Sequence, residues 1–410
     1  MGIMRTLVAG SAVAAVTVTG IALAPAAQAA KSITVWADAS HAAVISELTK
    51  NGYDGLKVTV VVKDPTTMGA DLSAATPADA PDVIWGDLAS TGELAQAGLV
   101  VPVELKKKRA GMFRENVMAG NIVGGKHMGV PVQISNLALV TNTTLVPKQP
   151  TTMDELSKLA LGMKKKGTVK VALGIPQGEG SNGVNLFPLF QGLGGYLYGT
   201  TADGSLDPKD VGLMNKKFKG KASQIDGWNS SGLIDSSLTP DRAAKLFAKT
   251  KSAFWVAGPE DLPALMKLSF VYRIGALPPV VAGQKSRPLL TIHGLMVTSF
   301  AEKHGVLDQA TALATQEMTK VGPQLKLAAA SGWFPANTKA AAQVETGGGR
   351  VRAIGNAGAD GVAMPNIPQA RTLWGPYGTA WFSSTSGASA TPAAQAFQIA
   401  EKAVRKAGRD

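Results

Sequence analysis

Residues 32–62 read SITVWADASHAAVISELTKNGYDGLKVTVVV. This stretch opens with a short β-rich run, Ser32-Ile33-Thr34-Val35-Trp36, and closes with another, Leu56-Lys57-Val58-Thr59-Val60-Val61-Val62. Both carry the β-branched and aromatic residues that suit strands, whereas residues 42–50 between them have helical spacing. The next unit repeats the order, with Asp82-Val83-Ile84-Trp85 as a strand and residues 92–97 as a short helix stopped at Gly98. A β-α-β-α rhythm predicts an α/β protein whose sheet is mostly parallel and covered by helices. Ligands of such sheets lie beyond the carboxyl ends of the strands, so the loops after Trp36 and Trp85 are the first places to look for a site.

Outward from this stretch the chain runs to 410 residues, more than one hydrophobic core usually fills, and two lobes are expected. Residues 129–133 and 137–140 form an extended segment suited to crossing between lobes, and residues 289–298 read as another. A helix starts at Pro150-Thr151-Thr152-Met153-Asp154-Glu155, with Thr151 or Thr152 as its cap and acids in its first turn. Residues 168–173 and 252–256 have strand character, and residues 307–321 read as an amphipathic helix. Gly347-Gly348-Gly349 reads as an internal linker, and residues 391–406 as a terminal helix with basic residues near its end.

Composition narrows the class. Hydrophobic residues make up 45% and charged residues 17%, a globular balance, so the mature chain is expected to be soluble. Arg5, an apolar stretch over residues 7–23 and Ala27-Gln28-Ala29 predict a signal peptide over residues 1–29. A retained anchor is the alternative, but Pro25 and the small-residue site favour cleavage. There is no cysteine, which excludes disulfides, a thiolate nucleophile and an N-terminal lipid anchor. The expected location is the periplasm or cell-wall space.

Net charge is +12, with a pI near 9.7, which raises nucleic acid or an anionic envelope as partners. The basic runs, such as Lys106-Lys107-Lys108-Arg109 and Lys164-Lys165-Lys166, are short and scattered, and only Phe218 interleaves with any of them. A base-stacking surface needs several aromatic platforms, so no nucleic acid partner is expected and loose contact with anionic wall polymers stays open.

Gly178-Glu179-Gly180-Ser181-Asn182-Gly183 fits G-x-G-x-x-G, but Pro176 and Gln177 separate it from the preceding strand-like run, where a dinucleotide site needs its tight turn. It reads as a flexible loop, and no cofactor is expected. The histidines at 41, 127, 293 and 304 lack metal-ligand spacing, and no nucleophile elbow or phosphate loop occurs. No catalytic constellation emerges, so the chain is not expected to be an enzyme. Tryptophans at 36, 85, 228, 255, 333, 374 and 381 offer flat faces that suit sugar rings, although any one of them is more often core.

Met364-Pro365-Asn366-Ile367-Pro368-Gln369, followed by Trp374-Gly375-Pro376, resembles the C-terminal motif of the maltose/maltodextrin-binding proteins, extracellular solute-binding proteins of carbohydrate ABC transporters, especially of actinobacterial type. Ile33-Thr34-Val35-Trp36-Ala37-Asp38, Pro81-Asp82-Val83-Ile84-Trp85, Gly129-Val130-Pro131 and Gly258-Pro259 agree in order and spacing. The resemblance implies a two-lobed periplasmic-binding-protein fold of type II, each lobe a mostly parallel sheet flanked by helices, joined by a three-segment hinge. Residues 30–133 plus 292–343 would form the N-terminal lobe, and 134–291 plus 344–410 the C-terminal lobe. A monomer that captures an oligosaccharide and delivers it to permease subunits is implied.

By the same resemblance, Trp374 matches a sugar-stacking tryptophan, and Asp38, Ser40 and His41 match a hydroxyl-binding loop. Trp85 ends the strand before a second polar loop, in which Asp87 stands for the family's aspartate. Ser135, with Asn136 beside it, stands where the family has an acidic residue, while Asn185 (or Val184) and Glu260 stand where it has aromatics. Tyr377 completes the candidates. Losing hydrogen-bonding carboxylates costs about 1.5–3 kcal/mol per charged bond, which argues for a glycan other than, or larger than, maltose. Two other readings stay open: a binding protein for a non-sugar, anionic solute, and a wall-associated interaction protein that has lost sugar binding.

Overall fold

The computed structural model describes residues 31–408. The expected signal peptide lies outside the described residues. Ten strands make up the two principal sheets: β1 (Ser32–Ala37), β2 (Lys57–Val62), β3 (Val83–Asp87), β4 (Val130–Asn136), β5 (Ala138–Asn142), β6 (Phe254–Ala257), β7 (Tyr272–Gly275), β8 (Leu289–Val297), β9 (Phe334–Pro335) and β10 (Val362–Ala363). The larger sheet has the order β9-β4-β8-β3-β1-β2, with β10 paired to the start of β8, and the smaller has the order β6-β5-β7. The opening rhythm is parallel as predicted: Ser32 to Ala37 pair in step with Lys57 to Val62, and Val35 pairs with Val83. The returning strand β8 runs antiparallel to both β3 and β4, so the large sheet is mixed, while β5 runs antiparallel to both its neighbours, so the small sheet is antiparallel throughout rather than mostly parallel.

Two main hydrophobic cores accompany the two sheets. Ile33, Val35, Ile84, Val132 and Leu295 pack in the first, and Phe187, Phe190, Phe218, Trp381 and Phe397 in the second, where the Phe190 and Phe397 rings stack with centroids 5.6 Å apart. Only Leu137 separates β4 from β5, so the chain passes from one sheet to the other within a residue; it returns between β7 and β8 and crosses again after the helix Arg350–Ala357. Asn136 fixes the first passage, its buried amide donating to the Ile354 carbonyl at 2.7 Å.

Local chemistry explains the element boundaries. The first helix starts at Ala39, earlier than its apolar spacing predicts, because Asp38 caps it and accepts from the Ser40 and His41 amides. Thr152 caps the helix Met153–Lys165 by accepting from the Glu155 amide, and the Glu155 carboxylate accepts from the Thr151 amide. Residues 168–173 do not form the expected strand. They run beside β6 with a single bridge, Gly174 to Trp255, because the Lys170 and Val171 amides converge on one carbonyl, that of Lys251. The expected helix over 307–321 is broken: Leu307–Ala312 passes into a π turn over Leu313–Glu317, and a new helix spans Val321–Ser331. Thr315 and Thr319 there bond the carbonyls four residues back, a contact that bends helices. Gly347, Gly348 and Gly349, the expected internal linker, all have positive φ and make a tight turn between two helices.

Candidate functional site

The carboxyl ends of β1, β3 and β4 and the amino ends of β8 and β9 share one edge of the large sheet. Asp38 follows β1, Asp87 ends β3, and His293 of β8 sits opposite both Asp87 and Gln133 of β4. A cavity of about 450 Å³ opens here, lined among others by Asp38, Thr66, Trp85, Asp87, His293 and Arg371. Arg371 comes from the segment after Ile367-Pro368 and ion-pairs with Glu93 at the mouth.

Polar groups around the cavity are fixed in different ways. Burial opposes ionisation of Asp38, but bonds from His41 Nδ1 (2.7 Å) and the Ser40 hydroxyl outweigh it and hold the carboxyl well below the usual carboxylate range. Asp87 has only the Ala89 amide, at 2.9 Å, so burial pushes its carboxyl up to about 6. Burial, reinforced by His41 nearby, lowers His293 to about 3, and the ring is neutral at ordinary pH. A neutral imidazole offers one donor and one acceptor, and an ionised carboxylate accepts from hydroxyls; neutral polyols match this set.

Behind the cavity wall runs a buried chain. His41, itself 4% exposed, stacks on Trp85 with centroids 4.4 Å apart, and its Nε2 lies 2.8 Å from Gln133 Oε1. Gln133 Nε2 donates to Ser331 Oγ at 2.7 Å, which also accepts the Trp333 amide at 3.1 Å.

The expected site residues separate into groups. Asp38, Trp85 and Asp87 share the cavity, with Ser40 and His41 bonded to Asp38. Trp85 and His41 contribute as wall rather than as free faces. Ser135 lies on the same edge, half-buried, opposite Thr291 of β8, while Asn136 is spent on the Ile354 carbonyl. Trp374 is half-buried in a separate cavity of about 470 Å³ with Glu179, Ser181 and Asn182. Tyr377 is fully buried against Phe190 and Phe397, so its ring belongs to the second core. Asn185 donates to the Pro176 carbonyl, and Glu260 is exposed on the turn Pro259–Asp261.

Two sequence motifs prove to be packing devices. Asn366 donates to Thr91 Oγ1 and the Ile122 carbonyl, and its own carbonyl occupies the space that a β-carbon on Gly92 would need. The glycine loop 178–183 lies on the helix Trp374–Ser384, with Ser181's carbonyl in the space left by Gly378. Sequence reasoning missed Gln133, Ser331, Glu93 and Arg371, and had Trp333 and His293 only as members of their residue types. They lie up to 278 positions apart along the chain from Glu93 to Arg371 (371 minus 93), and no local pattern joins them.

A profile of bacterial extracellular solute-binding proteins matches residues 43–347. The galactooligosaccharide-binding protein of Bacillus subtilis (strain 168) is 25% identical over 366 residues, covering 85% of this chain and 82% of that one. An extracellular solute-binding protein from Staphylococcus aureus, solved in complex with maltose, superposes with a TM-score of 0.80 at 20% identity, over 92% of this chain and 97% of that one. A cyclo/maltodextrin-binding protein complexed with maltotetraose gives 0.78 at 20% identity, over 92% and 96%. At this identity the structural likeness shows the two-lobed fold.

Proposed function

The chain belongs to the bacterial extracellular solute-binding proteins, and from that premise we propose that it captures an oligosaccharide between its lobes and delivers it to the permease of an ABC importer. The observation that carries this reading is the cavity at the sheet edge, walled by the Asp38 carboxylate, the Asp87 carboxyl and neutral His293, and met from the other side by Arg371. These groups exchange hydrogen bonds with sugar hydroxyls without needing a charge on the ligand. A galactooligosaccharide-binding relative and two structural neighbours solved with maltose and with maltotetraose support the same class. The role is binding rather than catalysis, and the signal-like composition of residues 1–29 fits export.

An anionic solute is the weaker reading. The net charge of +12 is not directed inward: Asp38, Asp87 and Glu93 line the cavity against one cation, Arg371, which Glu93 already pairs. Carboxylates there repel an anion.

Thermal unfolding of residues 30–410 with maltose, longer maltodextrins, galactooligosaccharides and phosphorylated solutes tests the proposal. A ligand at 100 times its Kd adds about 2.7 kcal/mol and raises the midpoint by about 3 °C for a chain of this size. A shift with a neutral oligosaccharide is expected; a shift with phosphorylated solutes alone would replace the sugar reading by the anionic one.

A further inference from the structure

Trp333 stands half-buried where the edge of the large sheet ends. Phe334 pairs with Ile134, and one step further along the antiparallel register Trp333 comes beside Ser135. Its indole rests on His293, with ring centroids 4.2 Å apart, and lies 6.2 Å from the ring of His41. His293 lines the cavity on one side and meets Trp333 on the other, so the polar edge continues from the cavity to this indole.

The support beneath it is more elaborate than a surface aromatic needs. Asp38, His41, Gln133 and Ser331 form a hydrogen-bonded series that ends on the Trp333 amide, and Gln133 within it is fully buried. Buried polar series whose members satisfy one another fix geometry tightly. This one ties the position of Trp333 to Asp38, which caps the first helix and faces the cavity. A preset, part-exposed aromatic is the arrangement that binds a flat apolar face at low entropic cost.

We propose that Trp333 is a stacking platform for a pyranose ring at the far end of a row of binding groups that begins at Asp38 and Asp87. The inference rests on the sugar-cleft reading above and extends it to ligand length. From β3 to β9 the row crosses three strand spacings, about 14 Å, so the ligand is an oligosaccharide of several rings rather than a monosaccharide. Ser135 and His293 lie between the two ends and meet the hydroxyls of the intervening rings.

Calorimetric titration of residues 30–410 with maltotetraose and with galactotriose, on the wild type, Trp333→Ala, Trp333→Phe and Asp87→Asn, tests this. Ligand-free thermal midpoints of all four report folding. Trp333→Ala is expected to weaken binding of the sugar that the wild type binds by about tenfold, as truncating an aromatic anchor does. Trp333→Phe, which keeps a flat face, is expected to recover most of that loss. Unchanged affinity in Trp333→Ala while Asp87→Asn weakens binding would overturn the platform and leave the cleft reading standing. Equal losses in both Trp333 variants, with lowered ligand-free midpoints, would make the residue structural and overturn the proposal. A wild type that binds neither sugar would overturn the cleft reading and the platform together.

Discussion

The carboxyls of Asp38 and Asp87 follow neighbouring strands, yet they hold their protons under opposite rules. Asp38 receives His41 and Ser40; Asp87 receives one amide and is otherwise desolvated. For Asp87 the folded state keeps the proton more tightly than the unfolded chain does. Its contribution to stability is therefore present below about pH 4 and is lost as pH rises through about 6. A shift of about two units corresponds to about 1–3 kcal/mol once water in the cavity is allowed for. Asp87→Asn should accordingly be more stable than the wild type in urea melts at pH 8 and equal to it near pH 4, while binding sugar less well. Equal stability at both pH values would mean that Asp87 is solvated. The loops that carry the two aspartates were legible in the sequence because strand ends in α/β sheets mark the ligand side, and the family resemblance picked the aspartates within them. Their opposite ionisation was not, since it depends on which neighbours fold onto each.

At the level of elements, single contacts decide whether the segments seat. Gly92 opens against the backbone of Asn366, where even a methyl group has no room. Backbone cannot yield as a side-chain tip can, so Gly92→Ala should cost about 2–4 kcal/mol and lower the thermal midpoint by several degrees. Asn366 in turn closes its amide on Thr91 and Ile122, which is how the Met364–Gln369 motif holds its segment to the first lobe. Thr152→Ala offers a milder comparison: it removes one cap bond and should cost about 1 kcal/mol in the same melts. Periodicity located these helices well where caps and apolar spacing agreed. It failed over 307–321, where the threonines diverted the backbone into a π turn, and over 168–173, where two amides share one carbonyl.

Across the whole molecule, two cores joined by three passages leave a cleft whose mouth is spanned by Glu93 and Arg371. Domain closure about such passages is the known response of two-lobed binding proteins. Cavities carrying Asp38 and Trp374 are separate in this structure, and closure on a ligand would bring the two sets together. Small-angle scattering should therefore show a smaller radius of gyration with a bound oligosaccharide than without. Glu93→Arg sets two cations across the mouth. Because the pair is exposed, affinity should fall by no more than about fivefold, and the ligand-free radius should rise or stay level. A smaller ligand-free radius in this variant would show that the pair props the cleft open.

By itself the sequence determined the parallel opening units, the need for two cores, the absence of cysteine chemistry and the strand ends that carry Asp38 and Asp87. Each follows from period, length or residue type, which are local or additive properties of the chain. Tertiary structure alone decided that Tyr377 and Trp381 are core, that Asn366 and Gly92 are a packing pair, and that Trp333 joins Asp38 through His41, Gln133 and Ser331. Those outcomes depend on which strands become neighbours, and β8 and β9 reach their places only after the chain has passed through the second lobe and returned.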